Sequence, residues 1–255
     1  MRCTASARPY AHGATGVEYQ LCRSSCIAGC RHSRGAHNPS GARGRCSSPS
    51  LFERTSHDRE RVLGSDHPDT LASRNNLAFA YKSAGNFARA VSLYEQTLED
   101  HERVLGLVHP HTLASRNNLA GAYQAAGDLS RALPLFEQAL VDRERVLGLD
   151  HPDTLAGRNN LAGAFLAAGD TARALGLFEQ TLNDHERVLG RDHPGTISSL
   201  QNLAVVLWQA GDKASAREYI RKALAGAQRA LSDNHPLTNR LRLEAEAMTT
   251  GADTA

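Results

Sequence analysis

Apolar residues recur at helical spacing along this chain, in paired segments separated by glycine-marked turns. In residues 67–106, Leu71, Leu77, Ala78, Tyr81 and Ala84 fall on one helical face, and Phe87, Ala90, Val91, Tyr94, Leu98 and Leu105 on another. The pattern predicts helices at 68–84 and 87–105. Pro68 suits the first helical position, and Asp66, Asp69 or Thr70 can serve the free N–H groups there. Gly85 ends the first helix, Asn86 caps the second, and Arg103 places a cation in the last turn before Gly106.

The same phrase returns every 42 residues. His-Pro stands at His67, His109, His151, His193 and His235, and "RNNLA" follows at Arg74–Ala78, Arg116–Ala120 and Arg158–Ala162, with "LQNLA" at Leu200–Ala204. A fixed period of this length marks a solenoid, in which stacked helix pairs build one continuous core. Four full units are expected at 67–106, 109–148, 151–190 and 193–232. Residues 51–64 form a second helix without its first, and 235–248 a capping helix. The cap is more polar than its predecessors, with Glu244 at the place of Asn76 and Glu246 at that of Ala78. Pro134 sits inside a second helix, where it should cost a hydrogen bond and a local kink on the exposed side.

These residues carry a resemblance. Asn76, Leu77, Ala78, Ala80, Tyr81, Gly85, Phe87, Ala90, Tyr94 and Leu98 match the tetratricopeptide repeat, and "RVLG…HPDT" resembles the 42-residue kinesin light chain form and its bacterial relatives. The resemblance covers about 51–248. It implies an all-α fold, a right-handed α-solenoid of antiparallel helix pairs, whose first helices line a concave groove for a protein or peptide.

Carried over residue by residue, the groove stripe begins with Ala72, Asn75, Phe79 and Lys82. It continues with Ala114, Asn117, Gly121 and Gln124, then Ala156, Asn159, Gly163 and Leu166, then Ser198, Gln201, Val205 and Trp208. Asn76, Asn118, Asn160 and Asn202 lie beside it, at the position that resembles the ligand-holding asparagine of clamp-type repeats. Asparagine is a poor helix former because its amide competes for backbone hydrogen bonds. Two readings of these second asparagines stand side by side: a ladder that holds a peptide backbone, or a ladder that only joins helices. For Asn75, Asn117 and Asn159 ligand contact is expected. Gly121 and Gly163 leave an empty floor, kept either for a ligand or for close helix approach. Leu166, Val205 and Trp208 form an apolar end that would take the ligand's anchor, unless Trp208 packs as core near Leu241.

Composition changes the picture little. Hydrophobic residues make up 41% but aromatics only 5%, which suits packed helices rich in Ala and Leu. No apolar run is long enough for a membrane span. The net charge of +2 divides into +6 for residues 1–50 and −4 for the rest, so the array offers no nucleic-acid surface. All five cysteines lie at or before Cys46, within a Gly-, Ser- and Arg-rich segment without apolar periodicity. That segment reads as a disordered leader. Its sharper reading, zinc on Cys22, Cys26, Cys30 and His32, has looser spacing than zinc motifs use. The tail at 249–255 is likewise expected to be disordered.

The five His-Pro histidines are spread along the solenoid and cannot converge on one ion, so they orient turns. His57, His101 and His185 are expected to be exposed, and Glu95, Glu137 and Glu179 to lie on solvated faces. Phosphate-loop, nucleophile-elbow and zincin motifs are missing. The expectation is a cytoplasmic, non-enzymatic scaffold with no cofactor, no metal, no nucleic acid and no membrane, and with room for weak self-association through the half repeat. The alternative is the sensor or scaffold fragment of a STAND/NB-ARC-type signalling NTPase system.

Overall fold

A computed structural model describes residues 49–250. Ten α-helices and no strand occupy the described residues: α1 Pro49–Leu63, α2 Pro68–Ser83, α3 Phe87–Leu105, α4 Pro110–Ala125, α5 Leu129–Leu147, α6 Pro152–Ala167, α7 Thr171–Leu189, α8 Pro194–Gln209, α9 Lys213–Ala230 and α10 Pro236–Thr250. Pro49 and Ser50 thus join the first helix, and Thr249 and Thr250 the last. The disordered-leader reading and the zinc ligands Cys22, Cys26, Cys30 and His32 lie outside the described residues.

Each helix packs on the one before and the one after it. First helices of neighbouring units also touch, α2 on α4 and α4 on α6, which places them on the inner side of the stack. Between the layers runs one apolar core, in which Ala78, Ala120, Ala162 and Ala204 allow close helix approach and Tyr94, Phe136, Phe178 and Ile220 fill the second-helix side.

The helix starts differ from the expectation. The cap is the histidine itself: Nδ1 of His67, His109, His151 and His193 accepts the N–H two residues on, at 3.1–3.2 Å. In the second and fourth units the threonine ties the turn, Thr112 Oγ1 donating to the Gly106 carbonyl at 2.8 Å and Thr196 Oγ1 to Gly190 at 2.7 Å, whereas Thr70 and Thr154 Oγ1 have no partner. First helices end as expected. Gly85 takes φ +80°, and the Asn86 N–H reaches back to the Tyr81 carbonyl at 2.9 Å. Helix α5 runs unbroken through Pro134, whose side faces solvent.

Units are joined by buried charge. Arg116 on α4 donates to Asp142 on α5 at 2.7 Å and to Glu102 on α3 at 2.9 Å. Arg74 and Arg158 repeat this with Asp100 and Glu60, and with Asp184 and Glu144. Arg158 is 1% exposed. In the fourth unit Leu200 replaces the arginine, and Gly226 stands where the aspartate would recur. The arginine and the aspartate are thus replaced together, while the glutamate of the set is kept as the half-buried Glu186; a Cβ at Gly226 would meet Ile197 at 3.3 Å.

His101 and His185 are buried, not exposed: Nδ1 of each lies 2.7 Å from a serine Oγ on the next first helix, Ser115 and Ser199. Between units two and three the same place holds Arg143, and the serine becomes Gly157, where a Cβ would sit 2.8 Å from Arg143 Nη1. Glu95 is also not solvated; it is half-buried and accepts from the Tyr123 hydroxyl, while Glu137 and Glu179 are exposed.

Two outcomes follow. Arg158→Leu should cost about 3 kcal/mol, by leaving Glu144 without its arginine and Asp184 with only Arg187, and Arg158→Leu with Asp184→Gly should recover part of it. Urea denaturation measures both. Burial holds the His101 and His185 pKa values below the ordinary value. Their contribution is therefore complete above the unfolded pKa of about 6.5 and declines as pH falls toward the folded values, because the unfolded chain takes up protons first. Denaturation midpoints at pH 7.5 and 5.5 should show this loss, and it should shrink in His101→Gln/His185→Gln.

Candidate functional site

The inner face is built from the first helices, and cross-unit contacts run along it. Asn118 Nδ2 donates to Asn75 Oδ1 at 3.0 Å, and Asn160 Nδ2 to Asn117 Oδ1 at 3.1 Å. In the second and third units the second asparagine thus joins neighbouring first helices. Asn76, with no first helix before it among the described residues, is exposed, and Asn202 is half-buried. Asn159 is only 4% exposed and its Oδ1 has no partner. Gln201 is buried and donates to both Glu244 carboxylate oxygens at 2.8 Å. Asn159 and Gln201 therefore form the wall beneath the face. Asn75 and Asn117 stay half-buried at its surface.

The floor has room. A Cβ at Gly163 would meet nothing within 4 Å, and one at Gly121 only Lys82 Nζ at 3.8 Å. Close helix approach is thereby ruled out as the reason for these two glycines. Gln124 lies across the floor, its Nε2 3.3 Å from the Gly163 carbonyl.

Two cations face this region without an ion pair among the described residues, although Asp153 lies near enough to favour the charge of Arg143. Lys82 extends over Gly121, with Nζ 5.6 Å from the centre of the Phe79 ring. Burial lowers its pKa, and no ion pair offsets that cost among the described residues. Arg143 is buried too, with weak contacts only, Nη1 to Asn117 Oδ1 at 3.5 Å and Nη2 to the Leu113 carbonyl at 3.4 Å. Burial lowers its pKa as well. At the far end the carboxyl of Glu244 is pushed up by burial, which the Gln201 hydrogen bond opposes.

Leu166, Val205 and Trp208 are half-buried against the core, in which Leu241 also packs. Lys213 Nζ lies 4.8 Å from the Trp208 ring centre and Arg217 Cζ 5.6 Å. The indole is thus neither a free anchor nor a fully buried core residue.

Family models described as tetratricopeptide repeat match residues 70–111, 112–153 and 159–229. A Podosopora anserina protein of nearly identical TPR-like repeats, described as a kinesin light chain, is 32% identical, with 71% of this chain and 85% of that one covered and a TM-score of 0.62. The chain belongs to the tetratricopeptide repeat family. It is of the kinesin light chain-like type. BtubC (BKLC) from P. vanneervenii shares the fold at 20% identity and a TM-score of 0.62, covering 94% of this chain and 86% of that one. So does the apo form of RapI, at 15% and 0.61, covering 80% and 73%. No curated protein matches. The TPR repeats make this an interaction scaffold in kind, of a fold that is generally non-catalytic.

The sequence reading named Lys82 but missed four arginines, Arg74, Arg116, Arg158 and Arg143. Arg74, Arg116 and Arg158 were visible in "RNN", one residue before the asparagines, with acids recurring at fixed offsets on both flanking helices. Arg143 was signalled by a break, an arginine where its neighbours carry His101 and His185. No helix of the described residues is long and apolar enough to cross a membrane. No group of His, Cys, Asp and Glu among them could hold a metal ion.

Since nothing crowds the two floor glycines, Gly163→Ala should stabilise the protein by about 0.5–1 kcal/mol through helix propensity alone. A thermal melt checks this, and a lower melting temperature would show that the space is structurally required.

Proposed function

We propose that this TPR protein holds an extended segment of a partner protein along the inner face of α2, α4, α6 and α8. The open glycine floor carries the reading. Each glycine forgoes about 1 kcal/mol of helix stability and no packing need accounts for it. Asn75, Asn117 and Gln124 supply amides for a ligand backbone, and Phe79, Leu166, Val205 and Trp208 supply apolar flanks. Asn118, Asn160 and Gln201 hold the face in shape.

The segment carries a carboxylate near its contact with α2 and α4. Lys82 is desolvated there without a counter-charge, and an acidic side chain would restore the pairing that burial withholds. The protein acts in the cytoplasm, without catalysis, cofactor or nucleic acid.

Random 12-residue peptides displayed on phage and selected against the full chain test this. Enriched peptides should contain an acidic residue. Binding should weaken ten-fold or more in Gly121→Leu/Gly163→Leu and in Lys82→Glu, a change of about 1.4 kcal/mol. Peptides that bind wild type and both variants equally would place the site elsewhere.

A further inference from the structure

The loop between the first and second units departs from three of the other four His-Pro loops in one direction; the last, before His235, has Asn234 at the aspartate's place. It reads Gly-Leu-Val-His-Pro-His at 106–111, against Gly-Ser-Asp-His-Pro-Asp at 64–69, Gly-Leu-Asp-His-Pro-Asp at 148–153 and Gly-Arg-Asp-His-Pro-Gly at 190–195. Asp66, Asp150 and Asp192 each accept from the arginine 37 residues on, namely Arg103, Arg187 and Arg229. Val108 removes that partner from Arg145, which keeps only Asp142 at 3.2 Å, an aspartate already bonded to Arg116. One turn earlier on α5, Val141 stands where Glu99 and Asn183 stand in the neighbouring units. The result is an exposed apolar patch: Leu107 61%, Val141 58%, and Val104 and Val108 41% each. Val104, Leu107 and Val108 are neighbours in sequence, and Val141 lies one turn before Arg145, whose counterparts reach the place of Val108; large apolar side chains exposed together suit an interaction site.

We infer that this edge is where two copies of the chain associate, related by a two-fold axis. The charges around it are self-complementary. Glu99 on α3 is exposed and has no ion pair among the described residues, and Arg145 on the next second helix lacks the aspartate its counterparts have. In an isologous contact Glu99 of one copy meets Arg145 of the other, and the reverse pair forms by symmetry. Leu107, Val108 and Val141 pack around the axis between the two ion pairs. The patch lies on the loop edge, so the inner face stays open in the dimer. An apolar centre of four side chains is small for a protein interface, which makes the association weak.

Sedimentation velocity of the full chain, with reductant because cysteines precede residue 47, tests this. A monomer–dimer equilibrium is expected, with a Kd on the order of 10–100 µM. Leu107→Asp/Val141→Glu should weaken it ten-fold or more with an unchanged circular dichroism spectrum. Glu99→Arg and Arg145→Glu should each weaken it, and together restore it. A monomer at every concentration overturns the proposal. So does a dimer that survives Leu107→Asp/Val141→Glu, or one lost in Leu51→Asp at the exposed end of α1 instead.

Discussion

The first three units of this solenoid hang on a guanidinium shared by three helices. Arg116 stands on a first helix and holds a carboxylate from the second helix before it and another from the second helix after it. The arrangement recurs at Arg74 and Arg158. Apolar burial drives the helices together without fixing how they sit. A planar fork with two fixed acceptors does fix it, since a slip along or around a helix breaks both pairs at once. Such pairs are no large source of net stability, because desolvation offsets much of the attraction. Their contribution is geometric, and the inner face inherits its spacing from them.

Near-identical units raise a second difficulty, because any first helix resembles the partner of any second helix. The junctions answer it by differing. His101 meets Ser115 and His185 meets Ser199, but Arg143 meets Gly157, where a Cβ would clash with the guanidinium. Leu200 with Gly226 makes the last unit apolar where the others are charged. A mismatched stack would set Arg143 against serine or leave an arginine facing Gly226. Both cost more than the native junctions, so each unit has its own neighbour written into it.

Much of this was legible in the sequence. The 42-residue period, the helix spans and the glycine stops all follow from apolar spacing and turn chemistry, which are local properties. What escaped was non-local. The capping role of His67 and its repeats depends on a ring nitrogen facing an N–H two residues on, and three other candidate caps lay nearby. His101 and His185 look like surface residues on an amphipathic helix until the next unit covers them. The first-position asparagines were expected at the surface; Asn75 and Asn117 are half-buried there, but Asn159 is buried. The open floor at Gly163 is likewise invisible from composition, since glycine serves space and close contact equally.

The inner face is not uniform, and its asymmetry bears on how a ligand lies. Phe79 and the desolvated Lys82 stand at the α2 end, the glycine floor in the middle, and the half-buried Trp208 under two cations at the α8 end. Beyond it Gln201 and Glu244 close the row with a carboxyl that burial keeps from ionising freely. A periodic scaffold with a periodic face would accept an extended chain in any register, because each amide looks like the next. Replacing one position per unit breaks that degeneracy: a cation at Lys82, an amide at Gln124, an aliphatic at Leu166, an indole at Trp208. These four residues occupy the same place in four successive units, so the face is read as a sequence of different sites on a common ruler. The scaffold sets the spacing and the departures from the repeat set the specificity.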